Sequence, residues 1–178
     1  MVLYNSLTRT IAIDFRDYSD DINGIGIRSF IHEYGHFLDY SVGKGLLSMQ
    51  ENFRPFVARY RKKIESLPEK SYVRLKSHYY GAPTEVFARS FEMYAAECGL
   101  KSNLLQSKEA YRVLEEYSIM DDSMRMEIFE YFDQTFPEFK SKIREFNGLP
   151  ALEEQLADVV EETAPYYTKR YHSRKKLV

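Results

Sequence analysis

The chain has 178 residues, of which 44% are hydrophobic and 29% charged, and 25 basic against 27 acidic side chains give a net charge of −2. These values exclude a mainly disordered chain, and the length fits one globular domain. The one cysteine, Cys98, excludes an internal disulfide and a cysteine-rich zinc finger. No apolar stretch reaches the ~18 residues of a membrane span, and the N-terminus has no signal-peptide pattern. We therefore expect a soluble protein, cytoplasmic by default, with no membrane partner.

The first predicted elements are a strand and a helix. Ile11, Ile13 and Phe15 alternate with other residues, which is the period of a half-buried strand and predicts one at Arg9–Phe15. After a polar loop, apolar residues recur at helical spacing and predict an amphipathic helix at Ile27–Tyr40.

The remainder of the chain is predicted to be helical, because apolar residues keep the helical period and prolines stand where helices begin or end. These helices are Glu51–Glu65, Pro83–Glu97, Lys108–Tyr117, Asp122–Phe132, Pro137–Phe146 and Pro150–Glu162. We therefore expect an α+β fold that is predominantly helical, with a small edge sheet of one to three strands.

Two segments carry opposite charge. Glu51–Lys76 holds eight bases and three acids (8 − 3 = +5), whereas Glu109–Asp133 holds two bases and eight acids (2 − 8 = −6). Such blocks are usually solvated helix faces. Nucleic-acid binding through the basic run Arg59–Lys63 and the basic tail is the alternative, but a net charge near zero gives it little support.

The predicted helix Ile27–Tyr40 carries the pattern H-E-x-x-H. His32 and His36 are one turn apart on the same face, so both imidazoles can reach one metal ion. Glu33 lies beside them, where a carboxylate can take a proton from a zinc-bound water. Gly35 predicts close approach of another element. Asp39 is either a support for a ligand imidazole or an exposed residue near the helix end.

A catalytic zinc site needs a third protein ligand. Cys98, His78 and His172 are possible ligands, but Glu85 is the better candidate because it begins an otherwise apolar helix. Glu92 lies on the same helix face and stays an alternative to Glu85. The competing interpretation of this face is an exposed stripe in which Glu85 pairs with a nearby arginine.

Two segments together carry a resemblance to a known family. His32–Asp39 (HEYGHFLD) is followed by Tyr80 and then by Glu85–Phe91 (EVFARSF). This order resembles the catalytic domain of the anthrax lethal factor and Pro-Pro endopeptidase group of gluzincins, which carry H-E-x-G-H-x-x-D, a tyrosine and E-x-F-A-x-x-F. The second segment is also similar to metallopeptidase-like domains of phage and mobile-element polyproteins.

The resemblance implies a zincin-like fold, with an active-site helix backed by C-terminal helices, and a zinc cofactor. His32, His36 and Glu85 become the zinc ligands, Glu33 the general base, and Tyr80 the residue whose hydroxyl faces the substrate carbonyl.

The chain departs from the family pattern near the third ligand. Arg89 stands where the family has an acidic residue, so a supporting role passes to Glu92 or is lost. The spacing before the third ligand is shorter, which leaves Tyr79 and His78 as alternatives to Tyr80.

These observations predict a zinc-dependent endopeptidase, a hydrolase acting on a protein or peptide. The predicted strand Arg9–Phe15 is a candidate edge for binding an extended substrate. The alternative is a non-catalytic, zincin-like binding module of a larger phage, mobile-element or effector protein. We expect a single domain over 1–178, with a catalytic core at 1–100, a helical extension at 101–165 and a basic tail at 166–178.

Overall fold

The computed structural model describes residues 2–13, 29–102 and 104–148. It forms two compact units, Met1–Pro137 and Glu138–Val178. The described residues are mostly helical and include a two-stranded antiparallel sheet, which confirms the predicted fold class. No helix in the described ranges is both long and apolar enough to cross a membrane.

Two strands and nine α-helices occur in the described residues, together with a 3-10 turn at Leu47–Met49. In chain order they are β1 Val2–Asn5, β2 Thr10–Ile13, α1 Phe30–Ser41, α2 Arg54–Ser66, α3 Tyr72–Leu75, α4 Ser77–Tyr80, α5 Pro83–Glu97, α6 Ala110–Val113, α7 Glu115–Ser118, α8 Asp122–Thr135 and α9 Phe139–Phe146. Helix α9 belongs to the second unit, and the other elements belong to the first.

The sheet is a hairpin whose first strand the sequence patterns do not predict. Strand β1 pairs with β2 in a register that sets Val2 opposite Ile13 and Asn5 opposite Thr10. Strand β2 lies within the predicted Arg9–Phe15 strand, whose last two residues fall outside the described ranges.

Helix α5 is the centre of the first unit. Every residue from Val86 to Ala96 is buried, because the helix is apolar on most of its surface and is covered on more than one side. Helix α8 packs on one side: the ring centroid of its Phe132 lies 5.3 Å from that of Phe87 and 5.6 Å from that of Phe91. The other main cover is α1, which carries the H-E-x-x-H pattern.

Most predicted helices are present, with two differences. The prediction of one helix at Lys108–Tyr117 is wrong, because the backbone is extended at Leu114 (ψ 129°) and separates α6 from α7. The single-turn helices α3 and α4 are not predicted, since four residues are too few to show a helical period. The predicted helix Pro150–Glu162 lies outside the described residues.

Candidate metal centre

Three of the predicted site residues come together between α1 and α5. The Nε2 atom of His32 lies 3.4 Å from one carboxylate oxygen of Glu85, and the Nε2 atom of His36 lies 3.3 Å from the other. One ligand atom from each residue can be chosen so that all three lie within 4.8 Å of one another. The three side chains are only 12–14% exposed, so they form a recessed cluster that solvent still reaches.

A close helix crossing brings these ligands together. A Cβ atom added to Gly35 would lie 2.8 Å from the Cα atom of Ala88, a distance that real Cβ atoms essentially never show. Gly35 stands between His32 and His36, and Ala88 lies one turn after Glu85. The lack of a side chain at Gly35 therefore lets the two ligand-bearing helices approach at the level of the site, as the sequence predicts.

Glu33, the predicted base, contacts the hairpin. One of its carboxylate oxygens accepts a hydrogen bond of 2.8 Å from the backbone N–H of Tyr4 in β1. The Tyr4 ring packs against Phe37 and Tyr40 of α1, at centroid distances of 6.1 and 5.8 Å. The hairpin therefore fixes one oxygen of Glu33.

Arg89 forms an ion pair with Glu85. Its guanidinium donates a hydrogen bond of 2.8 Å to the Glu85 carboxylate and another of 3.1 Å to the Tyr80 carbonyl. Burial alone would raise the pKa of Glu85, but the imidazoles of His32 and His36 and the Arg89 charge hold it well below its usual range. Arg89 is 3% exposed, so the interpretation of this helix face as an exposed stripe is wrong.

Two tyrosines lie beside this pair, and their surroundings differ. The Arg89 guanidinium stands over both rings, 4.6 Å from the Tyr80 centroid and 5.3 Å from that of Tyr79. Burial and the nearby Glu85 carboxylate raise the pKa of Tyr79 to about 12. For Tyr80, burial and the charge of Glu116 are the main causes of a raised pKa. Both tyrosines therefore remain candidates for the residue that faces the substrate carbonyl.

Glu92 contacts the other side of His32. One of its carboxylate oxygens lies 3.6 Å from the Nδ1 atom of His32. Burial lowers the pKa of His32, but Glu85 and Glu92 together outweigh that effect and raise it to about 9. Glu92 thus lies at the Nδ1 side of the imidazole, while Glu85 lies at the Nε2 side together with His36.

Glu92 also accepts hydrogen bonds from two tyrosine hydroxyls that the sequence patterns do not predict. Tyr111 in α6 donates to it at 2.9 Å, and Tyr117 in α7 donates at 2.6 Å. No local motif marks these two residues. The available signal is indirect: a buried carboxylate on an apolar helix needs hydrogen-bond donors, and tyrosine is a common buried donor.

Asp39 is fully buried, so the interpretation as an exposed residue is wrong. One carboxylate oxygen accepts a hydrogen bond of 2.7 Å from the Ser48 backbone N–H, in the 3-10 turn. Burial raises the pKa of Asp39, while hydrogen bonds from Ser48 and, to a smaller extent, the charge of His36 act to lower it. Asp39 therefore ties the end of α1 to the next turn.

Other candidates from the sequence stand apart from this cluster. Cys98 and His78 are not members of the group that could hold a metal in the described residues, and His172 lies outside those residues. In the basic run, Arg59 forms two hydrogen bonds of 2.9 Å to Glu127 of α8, and Lys63 pairs with Asp121. These contacts join the positive segment to the negative one.

One family comparison gives a match. Residues 72–143 match the family described as large polyvalent protein-associated domain 1. The matched segment is less than half of the chain; it includes Glu85 and Glu92 but not the helix that carries His32 and His36. No curated protein and no solved structure matches the chain.

Proposed function

We propose that this protein is a zinc-dependent endopeptidase in which His32, His36 and Glu85 hold the metal. The observation that carries the proposal is the convergence of two imidazole nitrogens and one carboxylate within 4.8 Å, with Glu33 adjacent in sequence to the first histidine. Two histidines and one glutamate are a ligand set of catalytic zinc sites, which keep a further position open.

The charges around the cluster fit a divalent cation. Glu85, Glu92 and Asp39 are carboxylic side chains at or near the site, and besides the two histidines Arg89 is the one basic side chain that pairs with Glu85 in the described residues. Buried carboxylates are costly unless cations or hydrogen bonds compensate them. A bound cation would supply positive charge at the Glu85 carboxylate, the one that lies in the cluster with both histidines.

The chain's own groups would divide the reaction as follows. When zinc is bound, it lowers the pKa of a coordinated water to about 7 and polarises a carbonyl group. The other oxygen of Glu33 would take a proton from the attacking water and return it to the leaving amine. The hydroxyl of Tyr80, or of Tyr79 beside it, would donate a hydrogen bond to the substrate carbonyl oxygen, a contact typically worth about 3 kcal/mol of barrier.

The test is a digest of a peptide library with the zinc-loaded protein and with Glu33→Gln. We expect cleavage by the wild type and at least a hundredfold slower cleavage by Glu33→Gln, with zinc content equal in the two proteins. The variant keeps the shape of the side chain and its hydrogen bond from Tyr4 but removes the base. Equal cleavage by both proteins would refute the assignment of Glu33.

A non-catalytic binding module is the second candidate. The match of residues 72–143 to a domain associated with large polyvalent proteins supports it, because this candidate is a module of a larger protein. A zinc-loaded wild type that cleaves no peptide in the library, while it remains folded, would support this candidate over the peptidase.

A further inference from the structure

Glu92 is a deeply buried carboxylate that lies next to a candidate ligand. It is 2% exposed, and its contacts lie on two sides. The His32 imidazole is on one side, 3.6 Å from Oε2. The hydroxyls of Tyr111 and Tyr117 are on the other, at 2.9 Å from Oε1 and 2.6 Å from Oε2. The two tyrosines therefore provide a hydrogen-bond donor to each oxygen of the Glu92 carboxylate.

The break at Leu114 makes this arrangement possible. In a continuous helix, residues six positions apart point about 120° away from each other. Tyr111 and Tyr117 are six apart, yet their rings meet at a centroid distance of 4.9 Å and both hydroxyls reach Glu92. The extended residue between α6 and α7 thus turns the two side chains toward a common acceptor.

Arg125 of α8 holds the two tyrosines in place. Its guanidinium donates hydrogen bonds of 2.8 and 2.9 Å to the carbonyl oxygens of Tyr111 and Tyr117. Burial and the charge of Glu92 raise the pKa of both hydroxyls far above neutrality, so both keep their protons and stay donors. The two tyrosine hydroxyls that donate to Glu92 are therefore fixed in position and in hydrogen-bond direction.

We infer that Tyr111 and Tyr117 are positioning residues of the metal site, which act through Glu92 to orient the His32 imidazole. This inference rests on the proposed function, because it assigns to His32 the role of a metal ligand. A carboxylate that accepts a hydrogen bond from the second nitrogen of a ligand imidazole fixes the ring and increases its basicity, and loss of such support typically weakens metal binding about 10- to 100-fold. Glu92 lies 3.6 Å from this nitrogen, just beyond hydrogen-bond distance, so it acts on the ring through its charge at close range. The segment 107–120, which carries both tyrosines, then contributes to the metal site.

The test compares Tyr117→Phe, Tyr111→Phe and the double variant with Tyr94→Phe. Tyr94 is a matched control, since its buried hydroxyl also donates to a carboxylate, that of Asp133. Zinc affinity is measured by competition with a chromophoric chelator. We expect the double variant to bind zinc about 10- to 100-fold more weakly, whereas Tyr94→Phe changes affinity less than about twofold. Tyr117→Phe should have the larger single effect, because Tyr117 shares Oε2 with His32.

A second readout follows the imidazole itself. The Nδ1 resonances of His32 are recorded by NMR without zinc, and we expect them to move in the double variant and to stay in place in Tyr94→Phe. Unchanged zinc affinity together with unchanged His32 resonances in a folded double variant would overturn the inference. If the wild type binds no zinc, the proposed function fails, and the His32 resonances alone decide whether the tyrosines orient the ring.

Discussion

The substitution Gly35→Ala tests whether the crossing of α1 and α5 sets the site. The new methyl group would lie 2.8 Å from Ala88 Cα, 3.2 Å from its carbonyl oxygen and 3.3 Å from its Cβ. Two of these three atoms belong to the backbone, so no side-chain rotation relieves the contact and the helices must move apart. Overpacking of this kind costs about 3 kcal/mol at the upper end of its range, and the better helix propensity of alanine returns about 1 kcal/mol.

We therefore expect Gly35→Ala to lower the free energy of unfolding by about 2 kcal/mol in urea titrations at constant slope. Zinc affinity should fall as well, because the methyl group separates His32 and His36 from Glu85. Adding Ala88→Gly removes the 3.3 Å contact but not the 2.8 Å one, so it should restore the variant only in part. A Gly35→Ala protein as stable as the wild type, with equal zinc affinity, would refute this account of the crossing.

Two further predictions concern groups that hold Glu85 and Glu33. Arg89→Met leaves the recessed Glu85 carboxylate without its guanidinium, so the free energy of unfolding should fall by about 3 kcal/mol, and saturating zinc should recover part of that loss. Thermal unfolding of the wild type and the variant, with and without zinc, measures both effects. A stability difference between the two proteins that is the same with and without zinc would contradict the reasoning. Tyr4→Pro removes the N–H that binds Glu33 without removing a bond to β2, whereas Tyr4→Ala removes only the ring. Tyr4→Pro should therefore slow peptide cleavage more than Tyr4→Ala at equal zinc content, and the opposite order would count against a positioning role for that N–H.

Local periodicity was sufficient to predict the helices that carry the ligands. Helix α5 has the predicted bounds, because a proline starts it and a glycine follows its end. Helix α1 contains the whole H-E-x-x-H pattern, which is a property of spacing along one helix. The proximity of Glu85 to both histidines, by contrast, depends on how two helices cross; the place of Glu85 at the start of an apolar helix, the resemblance and Gly35 pointed to it.

The support of the site could not be predicted from local patterns. The contact of Tyr111 and Tyr117 with Glu92 depends on the extended residue Leu114, and the helical period over Lys108–Tyr117 hides that break. The bond between Glu33 and β1 joins positions 29 residues apart and uses a backbone N–H, which has no sequence signature. Hydrogen bonds of this kind follow from the assembled tertiary structure.

The charge blocks show a similar limit. The sequence indicates a basic segment and an acidic one, and solvated helix faces are their usual explanation. In the structure, α2 and α8 set parts of the two blocks opposite each other, where Arg59 meets Glu127 and Lys63 meets Asp121. Such exposed pairs contribute little to stability, because solvent screens both charges.

Zinc titration calorimetry on the purified wild type and on His36→Ala tests the central claim most directly. Calorimetry gives both stoichiometry and affinity, and His36→Ala removes one of the three candidate ligands while it leaves Glu85 paired with Arg89. We predict one equivalent of zinc bound by the wild type and an affinity at least a hundredfold lower in the variant. A folded wild type that binds no zinc, or a variant that binds it equally well, would contradict the assignment of His32, His36 and Glu85 as a metal centre.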